Sequence, residues 1–298
     1  MKNTMEIPCH PDSRPLALAD KPLLDALFTE LQPRVSELTF ANLYLFRGIH
    51  DYRLTRLGDA LVVLGRGYGG EAYALPPLSG DVTGALRTLL ADGFTIYGAD
   101  DTFLERHGAD AAITVEEDRD GFDYLYLRSD LADLPGNRFH KKKNRINYFA
   151  ARHPFEVRVF GPDHRQGCLA LLDEWRRVRD AAGSTSLDPE TAAAAEAVTL
   201  SAELGLEGVV IAVEGRVGAF ALGERLNRET AVCHFEKSDP FMEGISQLVN
   251  REFCRLFTDC TFVNREQDLG EPGLRTAKLS YHPVELVRKF RLRKTPEP

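Results

Sequence analysis

At 298 residues, with 43% hydrophobic and 28% charged positions, the chain has ample apolar material for a core and is long enough for two compact units. A net charge of −8 argues against a protein that coats nucleic acid, so any polyanion would have to meet a local basic patch. The N-terminal MKNTMEIPCHPDSRP carries no apolar leader, and no stretch approaches the roughly 18 uninterrupted apolar residues of a membrane span. No integral membrane segment and a cytoplasmic location are therefore expected.

Residues 21–48 read as helical, PLLDALFTELQ followed by ELTFANLYLFRG. The alternation in DYRLTRLGDALVVLGRGYGGEAYALPP predicts two or three short strands, with Gly65, Gly67, Gly69 and Gly70 at turns. DVTGALRTLLADG is a helix whose buried stripe is Leu86, Leu89 and Leu90. FTIYGA then predicts a strand, DDTFLERHG a helix and FDYLYLRS a strand. After His153 the order recurs. FEVRVFG is a strand, RQGCLALLDEWRRVRDAAG and DPETAAAAEAVTLSAELG are helices, and VVIAVEG, RVGAFALGERLN and ETAVCHFEK form a three-strand meander. ISQLVNREFCRLFTD is a helix and CTFVN the next strand. This repeated order predicts an α/β (α+β) chain with an N-terminal domain over 1–135, a bridging helix over 136–153 and a C-terminal domain over 154–298.

The bridge, GNRFHKKKNRINYFAARHP, holds six Lys or Arg and no acid between Arg138 and Arg152. At about 100° per residue, Arg138, Lys141, Arg145 and Arg152 share one face, opposite Phe139, Ile146, Phe149 and Ala150. Lys142 and Lys143 fall within the apolar arc and must snorkel or enter a polar cleft. Lys142, Lys143, Asn144 and Asn147 are candidate binding residues, because polar groups on an apolar side require partners. The basic face is either a phosphate-binding surface or a solvated helix face.

The densest chemistry lies in FVNREQDLGEPGLRTAKLSYHP, from Phe262 to Pro283. An apolar strand stops at Arg265, Glu266 and Asp268; Gly270, Pro272 and Gly273 turn the chain; Arg275, Lys278, Tyr281 and His282 follow at a helix start. Unpaired buried charge is costly, so such a cluster lines a site or forms an internal ion-pair network. In a site, Arg265, Arg275 and Lys278 would bind or polarise an anion or carbonyl, with Glu266 or Asp268 as general base or amine anchor. A second constellation, CHFEKSDPFMEGISQLVN, offers His234, Glu236, Lys237 and Asp239 before Gly244. One glycine before a helix is a weak anion cradle, and a lone inward His is more often a satisfied core residue than a ligand. Cys9, Cys168, Cys233, Cys254 and Cys260 are odd in number and form no CxxC, so neither disulfides nor a zinc site is expected. His107, His140, His153 and His164 lack metal-ligand spacing, GRGYGG lacks the GxGxxG spacing, and there is no GxSxG elbow.

Four of these phrases carry a family resemblance. ELTFANLYLFR, FHKKKNRINYF, HFEKSDPFMEGISQLVNREF and FVNREQDLGEPGLRTAKLSYHP resemble the DUF2156 family, related to the C-terminal domain of phosphatidylglycerol lysyltransferase. The resemblance runs in family order from about residue 36 to residue 290. It implies two tandem GNAT-like acyltransferase domains, as in Fem-type peptidyltransferases, each a mixed, mainly antiparallel sheet flanked by helices. GLRTAKLSY is similar to the Fem-type pattern of a Gly-Leu pair followed by a helical lysine. That likeness implies Lys278 as the group that binds the donor or stabilises negative charge at its carbonyl. Relatives use aminoacyl-tRNA as donor and an amine or hydroxyl as acceptor. DPFMEGIS, with Gly244 alone, departs from the Q/R-x-x-G-x-G/A loop of acetyl-CoA enzymes, which puts a CoA cradle in doubt. No counterpart of the lysyltransferase's membrane-spanning N-terminal part is expected, so lipid modification is not carried over.

The expected function is an acyl- or aminoacyl-transferase with Lys278, Glu266, Asp268 and Arg265 at the chemistry. Lys142, Lys143, Asn144, Asn147, His234, Glu236, Lys237, Arg275 and Tyr281 would bind donor or substrate. Aminoacyl-tRNA is favoured over acyl-CoA as donor, with a small molecule or peptide as acceptor, tRNA as a partner and no metal. A non-catalytic small-ligand module and an RNA-binding protein are the alternatives.

Overall fold

A computed structural model describes residues 6–108, 110, 112–181 and 189–296. The chain forms two compact units, one of residues 1–123, 267–272 and 286–298, the other of 124–266 and 273–285. In chain order the first unit contributes β1 (Arg14–Pro15), α1 (Lys21–Leu31), α2 (Phe40–His50), β2 (Arg53–Leu57), β3 (Ala60–Arg66), β4 (Ala72–Ala74), α3 (Val82–Ala91), β5 (Thr95–Ala99), α4 (Asp101–His107) and β6 (Ile113–Glu117). The chain continues through β7 (Asp123–Leu127), α5 (Arg128–Asp133), α6 (His140–Ala150), β8 (Phe155–Val159), α7 (Arg165–Ala181), α8 (Pro189–Thr199) and α9 (Ser201–Leu204). Then come β9 (Glu207–Val213), β10 (Arg216–Arg225), β11 (Thr230–Ser238), α10 (Ile245–Leu256), β12 (Phe262–Asn264), α11 (Pro272–Leu279), β13 (Glu285–Val287) and β14 (Phe290–Lys294).

The first unit's sheet has the order β1-β2-β3-β4-β5-β14-β6, mainly antiparallel, with β4 and β5 parallel. A parallel pair needs a crossover, which α3 supplies. Asp81 caps this helix by accepting the Gly84 N–H at 2.9 Å. Its stripe of Leu86, Leu89 and Leu90 packs with Val62, Leu64, Ile96, Phe290 and Leu292 into one buried cluster. Each such side chain taken from water contributes about 1.5–3 kcal/mol before the entropy of ordering it.

The second sheet has the order β13-β7-β12-β11-β10-β9-β8. Here β11 and β12 are the parallel pair, joined by α10, whose Ile245, Leu248, Val249 and Phe253 are fully buried at helical spacing. Gly244 begins α10 at φ +97°, a conformation that favours glycine. A Cβ there would lie 2.1 Å from the Arg145 carbonyl oxygen of α6, so the glycine permits close helix–helix approach.

The unit bounds differ from the 1–135 and 154–298 division. The FDYLYLRS strand, assigned by sequence order to the first domain, pairs as β7 with β12 in the second sheet, Tyr126 opposite Val263. Tyr124 and Tyr126 are completely buried, as a strand covered by neighbours requires. The last strand, β14, lies between β5 and β6 of the first sheet. The basic helix α6 is part of the second unit, not a linker outside both. The 188–205 helix is two, α8 and α9. Residues 182 and 183 of the predicted α7 and residue 188 of the predicted α8 lie outside the described set.

Candidate functional site

The polar cluster of the second unit is built where β11 and β12 lie side by side. Pairing of β10 with β11 slips between Leu222 and Gly223, which oppose Phe235 and Cys233 and leave His234 without a direct cross-strand mate. A bulge of this kind re-aims a side chain. The His234 ring is 1% exposed and lies between two carboxylates, Nδ1 2.7 Å from Glu266 Oε1 and Nε2 3.0 Å from Glu224 Oε1. Burial opposes charging the ring, but bonds to Glu224 and Glu266 outweigh it and raise its pKa to about 9. His234 is therefore an imidazolium donating at both nitrogens. It is neither an isolated core histidine nor a free base.

At the end of β12 the chain turns sharply. Asn264 Oδ1 accepts the Glu266 N–H at 2.7 Å, a local turn-forming bond, and Glu266 adopts φ +56°. Lys278 of α11 donates from Nζ to the Arg265 carbonyl at 2.5 Å, its ammonium 5.7 Å from the Tyr124 ring centre. Lys278 is 8% exposed, so its ammonium fixes the backbone from which Arg265 and Glu266 project.

Arg265 is the centre of the cluster. Its side chain is 14% exposed, with Nη2 3.0 Å from Glu236 Oε2. Asn250 Nδ2, from α10, donates to the same carboxylate oxygen at 3.0 Å. The guanidinium carbon lies 4.9 Å from the Tyr281 ring centre and 5.9 Å from that of Tyr126. Burial disfavours its charge, yet Glu236 beside it keeps the group firmly protonated. Nη1 is buried and has no hydrogen-bond partner, and the same holds for Asn250 Oδ1 and Gln247 Oε1. A buried donor left unmade costs about 1–3 kcal/mol, more for a charged group, which marks Nη1 as a position for an oxygen acceptor.

Lys142 of α6 reaches the same tyrosine. Its Nζ donates to Ser280 Oγ at 2.7 Å and lies 3.9 Å from the Tyr281 ring centre. Burial first, then Arg265 and Arg145, lower its pKa to about 8, with Glu236 opposing.

The other predicted residues divide. Lys143 is half-buried on α6, while Asn144 and Asn147 are exposed; the apolar arc is narrower than the sequence implied, with Ile146 and Phe149 as its buried residues. Lys237 alternates with Glu236 and points to the opposite layer, its Nζ 3.0 Å from Glu190 and 5.3 Å from the Trp175 ring centre. Asp268 belongs to the first unit, fully buried, accepting from Arg119 at 3.3 Å and from the Gly270 N–H at 2.9 Å. Arg275 is half-buried on α11. On the basic face, Arg138 pairs with Asp130, Arg145 lies 4.0 Å from Glu243, and Arg152 stacks on Tyr148 at 3.4 Å. Sequence reading missed Glu224, Asn250, Tyr126 and Ser280. Asn250, a polar residue amid the apolar stripe of α10, was the one legible signal. No cluster of His, Cys, Asp or Glu fit for a metal ion occurs among the described residues, and no described helix is long and apolar enough to cross a membrane.

The sequence profile of the family described as "Phosphatidylglycerol lysyltransferase, C-terminal" matches residues 28–293. Among solved structures, a conserved protein of unknown function from Bacteroides thetaiotaomicron is 33% identical, covering 95% of this chain and 99% of that one, with a TM-score of 0.86. The structure of L-PGS from Bacillus licheniformis is 15% identical over 98% of this chain and 95% of that one, TM-score 0.62. FemX is 9% identical over 94% and 96%, TM-score 0.56. The latter two likenesses are of fold, and they fit the two mixed sheets with flanking helices. No curated protein matches the chain.

Proposed function

We propose that this chain, which belongs to the phosphatidylglycerol lysyltransferase C-terminal family, is an aminoacyl- or acyl-transferase whose chemistry is centred on Arg265 in the second unit. The observation that carries the reading is the Arg265 guanidinium, with Nη2 anchored on Glu236 and buried Nη1 without a protein acceptor. Such a preorganised donor suits the carbonyl oxygen of an activated acyl or aminoacyl group, where charge develops as the tetrahedral intermediate forms. A single well-placed donor of this kind is worth roughly 3–4 kcal/mol. Glu236 and Asn250 fix the guanidinium, Lys278 fixes the backbone behind it, and the His234–Glu224–Glu266 clamp sets the adjoining strand.

Aminoacyl-tRNA is the favoured donor and acyl-CoA the other candidate, with an amine or hydroxyl as acceptor. The close approach of Gly244 to Arg145 serves helix packing, which weighs against a phosphate cradle at the start of α10. Glu266, engaged with His234, acts on this reading as part of the clamp, and Asp268 braces its own turn.

The test is transfer of a radiolabelled acyl group from a panel of charged tRNAs and acyl-CoAs to small amine and hydroxyl acceptors. Arg265→Lys, which keeps the charge but not the fork, is expected to lower the rate at least about 100-fold while the melting temperature falls by only a few degrees. Lys278→Met, which frees the Arg265 carbonyl, is expected to lower rate and stability together. Wild-type turnover that survives in Arg265→Lys defeats the assignment.

A further inference from the structure

Lys142 is a half-buried cation of the second unit that, among the described residues, no carboxylate holds. Among the described residues no acid lies within ion-pair distance of its Nζ, in contrast to Arg265 on Glu236 or Lys237 on Glu190. What meets Nζ instead is the Ser280 hydroxyl at 2.7 Å and the face of the buried Tyr281 ring at 3.9 Å. Ser280 in turn donates to the Ala277 carbonyl at 2.6 Å, which fixes the hydroxyl at the end of α11. The charged groups acting on the amine are Arg265 just past β12, Arg145 from its own helix and Glu236 from β11, and the Tyr281 phenol is kept neutral by burial. Two cations against one partly spent carboxylate, together with burial, disfavour an ammonium and outweigh the pull of the Tyr281 ring face on its charge.

We propose that Lys142 is the proton acceptor of the transfer step, with Ser280 its positioning residue; this rests on the transferase reading above. As the acceptor's lone pair forms the new bond to the donor carbonyl carbon, the proton shed by the acceptor amine or hydroxyl passes to Lys142 Nζ. The tetrahedral intermediate collapses by breaking the bond from carbon to the leaving oxygen or sulfur, and Lys142 returns the proton to that leaving group. No redox partner is needed and the residue ends as it began. With a pKa of about 8, roughly one molecule in ten carries the free amine at pH 7, enough for a general base working near neutrality. A residue that grips donor phosphate would act as a cation, and arginine would replace it.

Two measurements on the full chain test this. In the first, trace acetylation with acetic anhydride across pH 6–10 is read by peptide mass spectrometry, with exposed Lys141 as internal reference. Lys142 is expected to titrate with a midpoint near 8, about two pH units below an ordinary lysine, and a midpoint at the ordinary lysine value overturns the proposal. Half-burial slows labelling without moving the midpoint. In the second, transfer rates are compared for Lys142→Gln and Lys142→Arg. Both are expected to lose at least about 100-fold in kcat with donor KM changed less than about threefold, and to lose the rise in rate toward pH 8. Rescue by Lys142→Arg overturns the base role in favour of anion binding, as does undiminished transfer in Lys142→Gln. No transfer by the wild-type chain with any donor sinks the transferase reading and the catalytic role with it. The labelling midpoint is read without any donor, so it separates that failure from a wrongly assigned amine.

Discussion

His234 shows what one buried charge asks of its surroundings. An imidazolium that is 1% exposed persists because Glu224 and Glu266 each take one ring nitrogen; removing either would leave one ring N–H buried without its acceptor. Its folded pKa of about 9 stands above the unfolded value near 6.5. The contribution to stability is therefore complete below pH 6.5 and is lost as pH rises through 9. Lys142 runs the other way, with a folded pKa of about 8 below its unfolded value, so it adds stability only as pH rises above 8. The interval from 6.5 to 8 isolates the histidine. Unfolding free energy is expected to fall there by on the order of 2 kcal/mol, and His234→Gln should flatten the curve. Chemical denaturation at several pH values measures it, and a wild-type curve without slope would refute the clamp. The sequence named His234, Glu266, Glu236 and Arg265 as candidates. It could not pair them, because which carboxylate meets which cation depends on a register slip between two strands.

Among the elements, helices with an unbroken apolar stripe were legible. Leu86, Leu89 and Leu90 of α3 are buried as their spacing required. β6 and β14 were not read, since ITVEE and FRLRK are short and rich in charge; they pair with Arg291 opposite Glu116 and Phe290 opposite Glu117. Such strands look like solvated loops until the partner is known. Gly244 illustrates a residue whose meaning changed with its neighbours. In sequence it stood as a weak anion cradle; in the fold its missing side chain lets α10 meet the Arg145 carbonyl. Gly244→Ala combines φ +97° with a clash against backbone, and a loss of more than about 1–3 kcal/mol is expected. Thermal unfolding reads this directly, and an alanine variant as stable as wild type would mean that α6 and α10 do not pack so closely.

At the scale of the molecule, each sheet takes a strand from outside its own run of sequence. β7 precedes α6 yet lies between β13 and β12, while β14 closes the chain yet lies between β5 and β6. A fragment of residues 154–298 lacks β7, leaves β12 an unpaired edge and carries β14 without its mates. It is expected to aggregate or to unfold without a cooperative transition, whereas the full chain melts cooperatively; a soluble, cooperatively folding fragment would contradict this topology. Exposed strand edges of that kind are aggregation sites.

By itself the sequence determined the class of fold, the helices with apolar stripes, the family and the small set of ionisable residues worth attention. These follow from local periodicity and contiguous motifs, which need no knowledge of distant partners. Tertiary structure decided the membership of β7 and β14, the division between the two units, and the pairings within the cluster. It leaves Arg265 Nη1 buried without an acceptor, ties Lys278 to the Arg265 carbonyl, and gives Lys142 a hydroxyl where, among the described residues, no carboxylate meets it. Those are matters of pairing, burial and charge across long separations, and no window along the chain contains them.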